Sequence, residues 1–74
     1  MSTPIEVPIR DGSIRLGQLL KLAGVVDDGA MAREVVERGL VAVNDEVDTR
    51  RGRQVHPGDV VTYETETLHV VADA

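Results

Sequence analysis

Three arginines, Arg50, Arg51 and Arg53, crowd around Gly52 in a short polar segment. Guanidinium groups held this close repel one another, and a fold tolerates them best when an anion sits among them. Their planar forks match phosphate oxygens with paired hydrogen bonds, and the glycine permits close backbone approach. The plainer alternative is a solvated loop neutralised by Glu46 and Asp48. Arg15, Lys21 and Arg33 are further cations whose convergence on that loop cannot be read from spacing. Arg33 and Glu37 are four apart, as are Glu34 and Arg38, so surface pairing accounts for both couples, and Arg38 is assigned to that role.

Other chemistry has weak support. His56 adjoins a Pro-Gly turn, His69 sits in a β-rich run, and neither has an evident partner. With Asp59 they match no metal-ligand spacing. Ser13 reads as a helix cap and Asp59 as a turn residue. No glycine-rich phosphate loop leaves a strand to open a helix. We therefore expect no enzyme: no catalytic residue, no metal or other cofactor, and no small-molecule substrate. Tyr63 is the only aromatic residue, so successive unpaired bases have nothing to stack on. A nucleic-acid partner would be held by phosphate, sugar and shape, which favours a folded RNA.

The formal charge of −5 argues against a polyanionic partner until its distribution is considered. All eight basic residues lie between positions 10 and 53, along with eight of the thirteen acids. Glu6, Asp59, Glu64, Glu66 and Asp73 lie outside with no base among them, so the deficit belongs to the ends. A cationic face in the middle remains available.

The elements that must position these residues fit one domain over 1–74, since the chain has only 74 residues. Without cysteines, neither disulfides nor thiolate–metal sites can staple it. No apolar run approaches a membrane span and the N-terminus has no secretory pattern. The expectation is a soluble, cytoplasmic monomer. Ile5, Val7 and Ile9 alternate with polar residues and Pro8, which suggests an edge strand. Asp11-Gly12-Ser13 turns the chain, with Ser13 as the N-cap of a helix carrying Leu16, Leu19, Leu20 and Ala23 on one face. Gly24 ends that helix in the left-handed conformation. Asp27-Asp28 caps a second helix, whose buried stripe is Ala32, Val35, Val36 and Gly39. Leu40 to Val43 reads as a buried strand, and Asn44-Asp45 as a tight turn into Glu46-Val47. Pro57-Gly58 suits a type II turn. Val60 to Tyr63 and Leu68 to Val71 complete a β-α-α-β-β-β-β order.

Three runs, Ile14 to Gly24, Gly29 to Val36 and Gly39 to Val47, together resemble the RNA-binding domain of the ribosomal protein S-four type. The similarity continues through Thr49-Arg50-Arg51-Gly52-Arg53 to Pro57-Gly58-Asp59-Val60-Val61. It covers about residues 14–64 and is closest to short, stand-alone bacterial members. It implies an α+β fold, the alpha-L RNA-binding motif, in which a two-helix hairpin packs on a small, mainly antiparallel sheet. By motif position it implies RNA contacts from Arg15, Lys21, Arg33, Asn44, Arg50, Arg51 and Arg53. The partner would be structured RNA, ribosomal or tRNA-like, in ribosome assembly, translation or RNA modification. Two departures bear on this: Asp45 stands where the pattern prefers glycine, and Met31-Ala32 replace small or polar residues before the basic position.

Leu40 to Val47 followed by Gly58-Asp59-Val60-Val61 also looks like the end of a β-grasp sulfur carrier. That chemistry needs a terminal Gly-Gly, whereas this sequence ends Ala72-Asp73-Ala74, and the carrier reading leaves the helix pair and arginine loop unexplained. A protein-interaction adaptor is the third reading, and would bind its partner irrespective of salt and of the arginines.

Overall fold

The computed structural model describes residues 3–73. Their elements are β1 (Ile5–Ile9), β2 (Ile14–Arg15), α1 (Leu16–Leu22), α2 (Gly29–Glu37), β3 (Val41–Val43), β4 (Glu46–Val47), β5 (Gln54–Val55), β6 (Val60–Tyr63) and β7 (Glu66–Ala72). Five strands form one sheet in the order β1-β7-β6-β3-β4, and β2 pairs with β5 in a separate two-stranded ribbon. Among the described residues only β1 against β7 is parallel. The fold is α+β, a helix pair on a mainly antiparallel sheet, as the sequence implied. Pro8 lies on the edge strand β1, where its missing N–H removes little from the ladder.

Alternation along the strands turns Val7, Ile9, Val41, Val43, Val61, Tyr63, Leu68 and Val70 inward. The helices answer with Leu16, Leu19, Leu20, Ala32, Val35 and Val36, and all of these belong to one apolar cluster. At seven and nine residues, both helices are shorter than the roughly 12–15 residues an isolated helix needs. Burial of this face holds them, at about 1.5–3 kcal/mol for each large side chain.

Both helices end by the same device. Gly24 N–H donates to Lys21 C=O and Val25 N–H to Leu20 C=O; Gly39 N–H donates to Val36 C=O and Leu40 N–H to Val35 C=O. With Gly24 at φ +75° and Gly39 at φ +77°, each is a Schellman termination. Gly24 thus acts as the sequence suggested. Gly39 instead lies just past its helix rather than in the buried stripe, and Leu40, expected in a buried strand, is exposed in the same cap.

Further differences concern local pairing. Ser13 is not the cap of α1: the N-cap position is Arg15, and the Ser13 hydroxyl donates to Gln54 Oε1 at 2.8 Å. The β2–β5 ribbon was not anticipated, because two-residue strands carry no periodicity. Strand β7 starts at Glu66, leaving Glu64-Thr65 as the hairpin loop, with Glu64 at φ 55°. Asn44 and Asp45 both have positive φ in a two-residue hairpin, as read from their types. Asp59 N–H donates to His56 C=O across Pro57-Gly58, with Gly58 at φ +97°, the expected type II geometry.

Candidate functional site

The arginine loop is built on a buried carboxylate. Asp48 is the only buried charged residue among those described, at 7% exposure. Its Oδ1 accepts from Arg50 N–H and Nε, and its Oδ2 from Arg50 Nη2 at 2.8 Å and Arg53 Nη1 at 3.1 Å. The Arg50 guanidinium, more than burial opposes, holds the Asp48 carboxyl well below the usual carboxylate range. Arg53 N–H donates to Arg50 C=O, so Arg51 and Gly52 form the tip of a four-residue turn whose two ends are clamped by Asp48. The neutralised-loop reading therefore holds for Arg50 and Arg53 and not for Arg51. The supporting carboxylate is Asp48; Glu46 has no part in it.

The tip is locked to α1 by backbone. The first two N–H groups of that helix have no intrahelical partner, and the Arg15 side chain makes no capping bond. Leu16 N–H donates instead to Arg53 C=O at 2.9 Å, and Gly17 N–H to Arg51 C=O at 3.0 Å. A Cβ at Gly17 would sit 3.6 Å from the Arg51 carbonyl oxygen, an ordinary contact, so the approach leaves room for a methyl group. Gly52, whose absent side chain was expected to permit close approach, faces open space.

These constraints bring cations from three segments to one concavity of about 290 Å³, lined by Arg15, Lys21, Arg33 and Arg51 with Gly17 and Gln18. Arg15 and Lys21 come from the start and last turn of α1, Arg33 from α2 and Arg51 from the loop tip. Among the described residues, Arg15, Lys21 and Arg51 have no carboxylate partner. Arg33 Nε lies 3.2 Å from Glu37 on the exposed surface, a pair worth about 0.3–0.5 kcal/mol and easily exchanged for a stronger anion. Arg38 pairs with Glu34 at 2.9 Å, in the role the spacing gave it. The arrangement can hold a phosphate-sized anion.

The other expected contacts sit differently. Arg50 is bound to Asp48 yet largely exposed, and Arg53 is mostly covered. Asn44 does not line the concavity. Its Oδ1 accepts Val60 N–H at 2.9 Å and its Nδ2 donates to Asp59 Oδ1 at 3.1 Å, tying the β3–β4 turn to β6. Asp59 also accepts His56 N–H at 2.8 Å, which is the main reason its pKa is lowered. His56 Nδ1 is 3.8 Å from Asp59, and no group of three metal-ligating side chains forms among the described residues. Sequence reasoning missed Gly17 and Gln18 as parts of the site, and named Asp48 as a partner of the loop without showing that it is buried. Gln18 and Lys21 fall off the face that Leu16, Leu19, Leu20 and Ala23 share, by helical spacing, but nothing local shows what they meet.

Comparison with known proteins agrees with this architecture. The S4 domain family matches residues 7–71. Bacillus subtilis (strain 168) has a relative 47% identical over 64 residues, covering 86% of this chain and 87% of its own, named "Probable ribosome maturation protein RlbA". YbcJ of Escherichia coli (strain K12) is 34% identical over 59 residues, covering 80% of this chain and 84% of its own. The solution structure of E. coli YbcJ superposes with a TM-score of 0.67 at 30% identity, covering 97% of this chain and 92% of that one, and is described as revealing an alpha-L motif involved in RNA-binding. With the helix pair, the sheet and the matched length in accord, the chain belongs to the S4 domain family.

Proposed function

We propose that this protein is a non-enzymatic RNA-binding module that grips the phosphate backbone of structured RNA at the Arg15, Lys21, Arg33 and Arg51 concavity. The observation that carries the reading is the meeting of four cations from three segments in a chain whose net charge is −5. Folding gathers like charges against their mutual repulsion, and an anion relieves it. Arg50 adds an exposed flank to the track, while Arg53 and Asn44 support it from within the fold. The name of the B. subtilis relative and the description of YbcJ point the same way. On that basis the role is that of a cytoplasmic accessory factor in ribosome maturation, acting as a monomer.

Binding to a structured RNA hairpin, followed by fluorescence anisotropy over a salt series, tests the interface. Released counterions make affinity fall with salt in proportion to the phosphates neutralised. Arg51→Ala should weaken binding several-fold and lower the slope of log affinity against log salt by about one. Arg38→Ala, outside the concavity, should change neither. Equal effects from the two substitutions, or affinity indifferent to salt, would favour the protein adaptor. Crosslinking in cells and sequencing the attached RNA should recover ribosomal RNA; no RNA above background would count against the reading.

A further inference from the structure

A second, larger concavity of about 730 Å³ lies against α1, lined there by Gln18, Lys21 and Leu22. Gln18 and Lys21 line both hollows, so the two are neighbours along α1. Its character is different. Pro8, Ile14 and Leu22 give it apolar walls, Arg10 and Lys21 supply two cations, and Asp11 and Asp73 supply two carboxylates. Leu22 is 58% exposed, a large apolar side chain left open at its lip. Arg10 Nε holds Asp73 at 3.3 Å, while Asp11 has no partner among the described residues.

We propose that this concavity receives one unpaired base of the bound RNA, and that Asp11 selects guanine there. The inference rests on the RNA reading above. A phosphate is repelled by an unpaired carboxylate, so the backbone stays in the cationic concavity, with Lys21 shared between the two. A base has no charge and can turn into the hollow, with its faces against aliphatic walls where no aromatic platform exists. The volume falls within the roughly 300–1,000 Å³ typical of small-molecule clefts. A carboxylate only accepts hydrogen bonds. Guanine alone among the four bases offers two adjacent donors on its Watson–Crick edge, N1–H and the N2 amino group, which match the two carboxylate oxygens. The uracil N3–H lies between two carbonyls that repel a carboxylate. Adenine and cytosine each set an acceptor beside their amino group.

The test uses the full chain and an RNA hairpin carrying a single-nucleotide bulge, with G, A, C or U in the bulge, and the same hairpin without it. The guanosine bulge should bind about tenfold more tightly than the uridine bulge or the perfect stem, the discrimination of one good bidentate pair. Asp11→Asn should erase the preference for G without weakening binding to the perfect stem. Leu22→Ser should weaken every bulged hairpin and spare the perfect stem. Both positions are exposed, and a melting curve shows whether each variant folds. Equal affinity for all five RNAs, with Asp11→Asn without effect, overturns the base site and leaves the backbone grip standing. Failure of all five to bind at low salt overturns both.

Discussion

Asp48 is where charge counting and structure disagree. Simple counting says that removing an acid from an acidic RNA-binding chain should strengthen its hold on a polyanion. The geometry says the opposite, since the carboxylate clamps both ends of the turn that presents Arg51. Asp48→Asn should lower stability by about 1.5–3 kcal/mol, the scale of hydrogen bonds to a charged group, and weaken RNA binding a few-fold. A stronger grip by the variant would show that Arg51 needs no positioning. The carboxylate also shapes the response to acid. Its folded pKa lies below the 3.8 of the unconstrained group, so its contribution is fully present above that value. It is lost as pH falls from there toward the lower folded value. Asp59 adds to the same window in the same direction. The melting temperature of the native chain should therefore fall steeply on acidification below about pH 4, and that of Asp48→Asn less so. Cation types were plain in the sequence, and so were the Arg33–Glu37 and Glu34–Arg38 couples, which need only helical spacing. Which arginines are clamped and which is presented depends on Asp48 being buried, and burial of a polar residue has no local signature.

At the scale of elements, the two matching helix terminations decide where α1 and α2 stop, and so where Lys21 and the start of β3 fall. A left-handed residue costs about 1–2 kcal/mol when it carries a Cβ. At Gly39 a Cβ would lie 3.6 Å from Val47 Cγ1, an ordinary contact, so the penalty is conformational rather than steric. Gly39→Ala should lower stability by about that amount in denaturant melts and leave the salt slope of RNA binding as it was. A loss much larger than this would mean that α2 and the β3–β4 hairpin had come apart. The helices, the β3–β4 and β6–β7 hairpins and the edge position of β1 were legible because periodicity, turn types and Pro8 are local signals. The β2–β5 ribbon was not legible. Ile14 meets Val55 and Arg15 meets Gln54 across a long separation in sequence, in strands too short to alternate. That ribbon nevertheless brings the arginine loop to the N-terminus of α1, so the least legible element assembles the site.

For the whole molecule, the question is how a chain of net charge −5 attracts a polyanion. Distance and screening separate the two scales of charge. The molecule measures 33 × 28 × 23 Å, several times the Debye length of about 8 Å at physiological ionic strength. Glu6 alternates with the inward Val7 and faces away from the core, and Glu64 sits in the β6–β7 turn; neither lines the cationic concavity. Acids so placed act on an approaching RNA through the long-range field, which salt removes, whereas Arg51 acts at contact. Reversing both, Glu6→Lys with Glu64→Lys, takes the formal charge from −5 to −1 without touching the concavity. Association measured by stopped flow should be faster for this variant at low salt. Near physiological salt the difference should shrink to little, and the dissociation rate should stay as it was. Arg51→Ala should act the other way, raising the dissociation rate at both ionic strengths. If the double reversal tightened binding equally at low and high salt, the total charge rather than the local cluster would govern recognition, and the segregation of cations onto one concavity would lose its explanatory force.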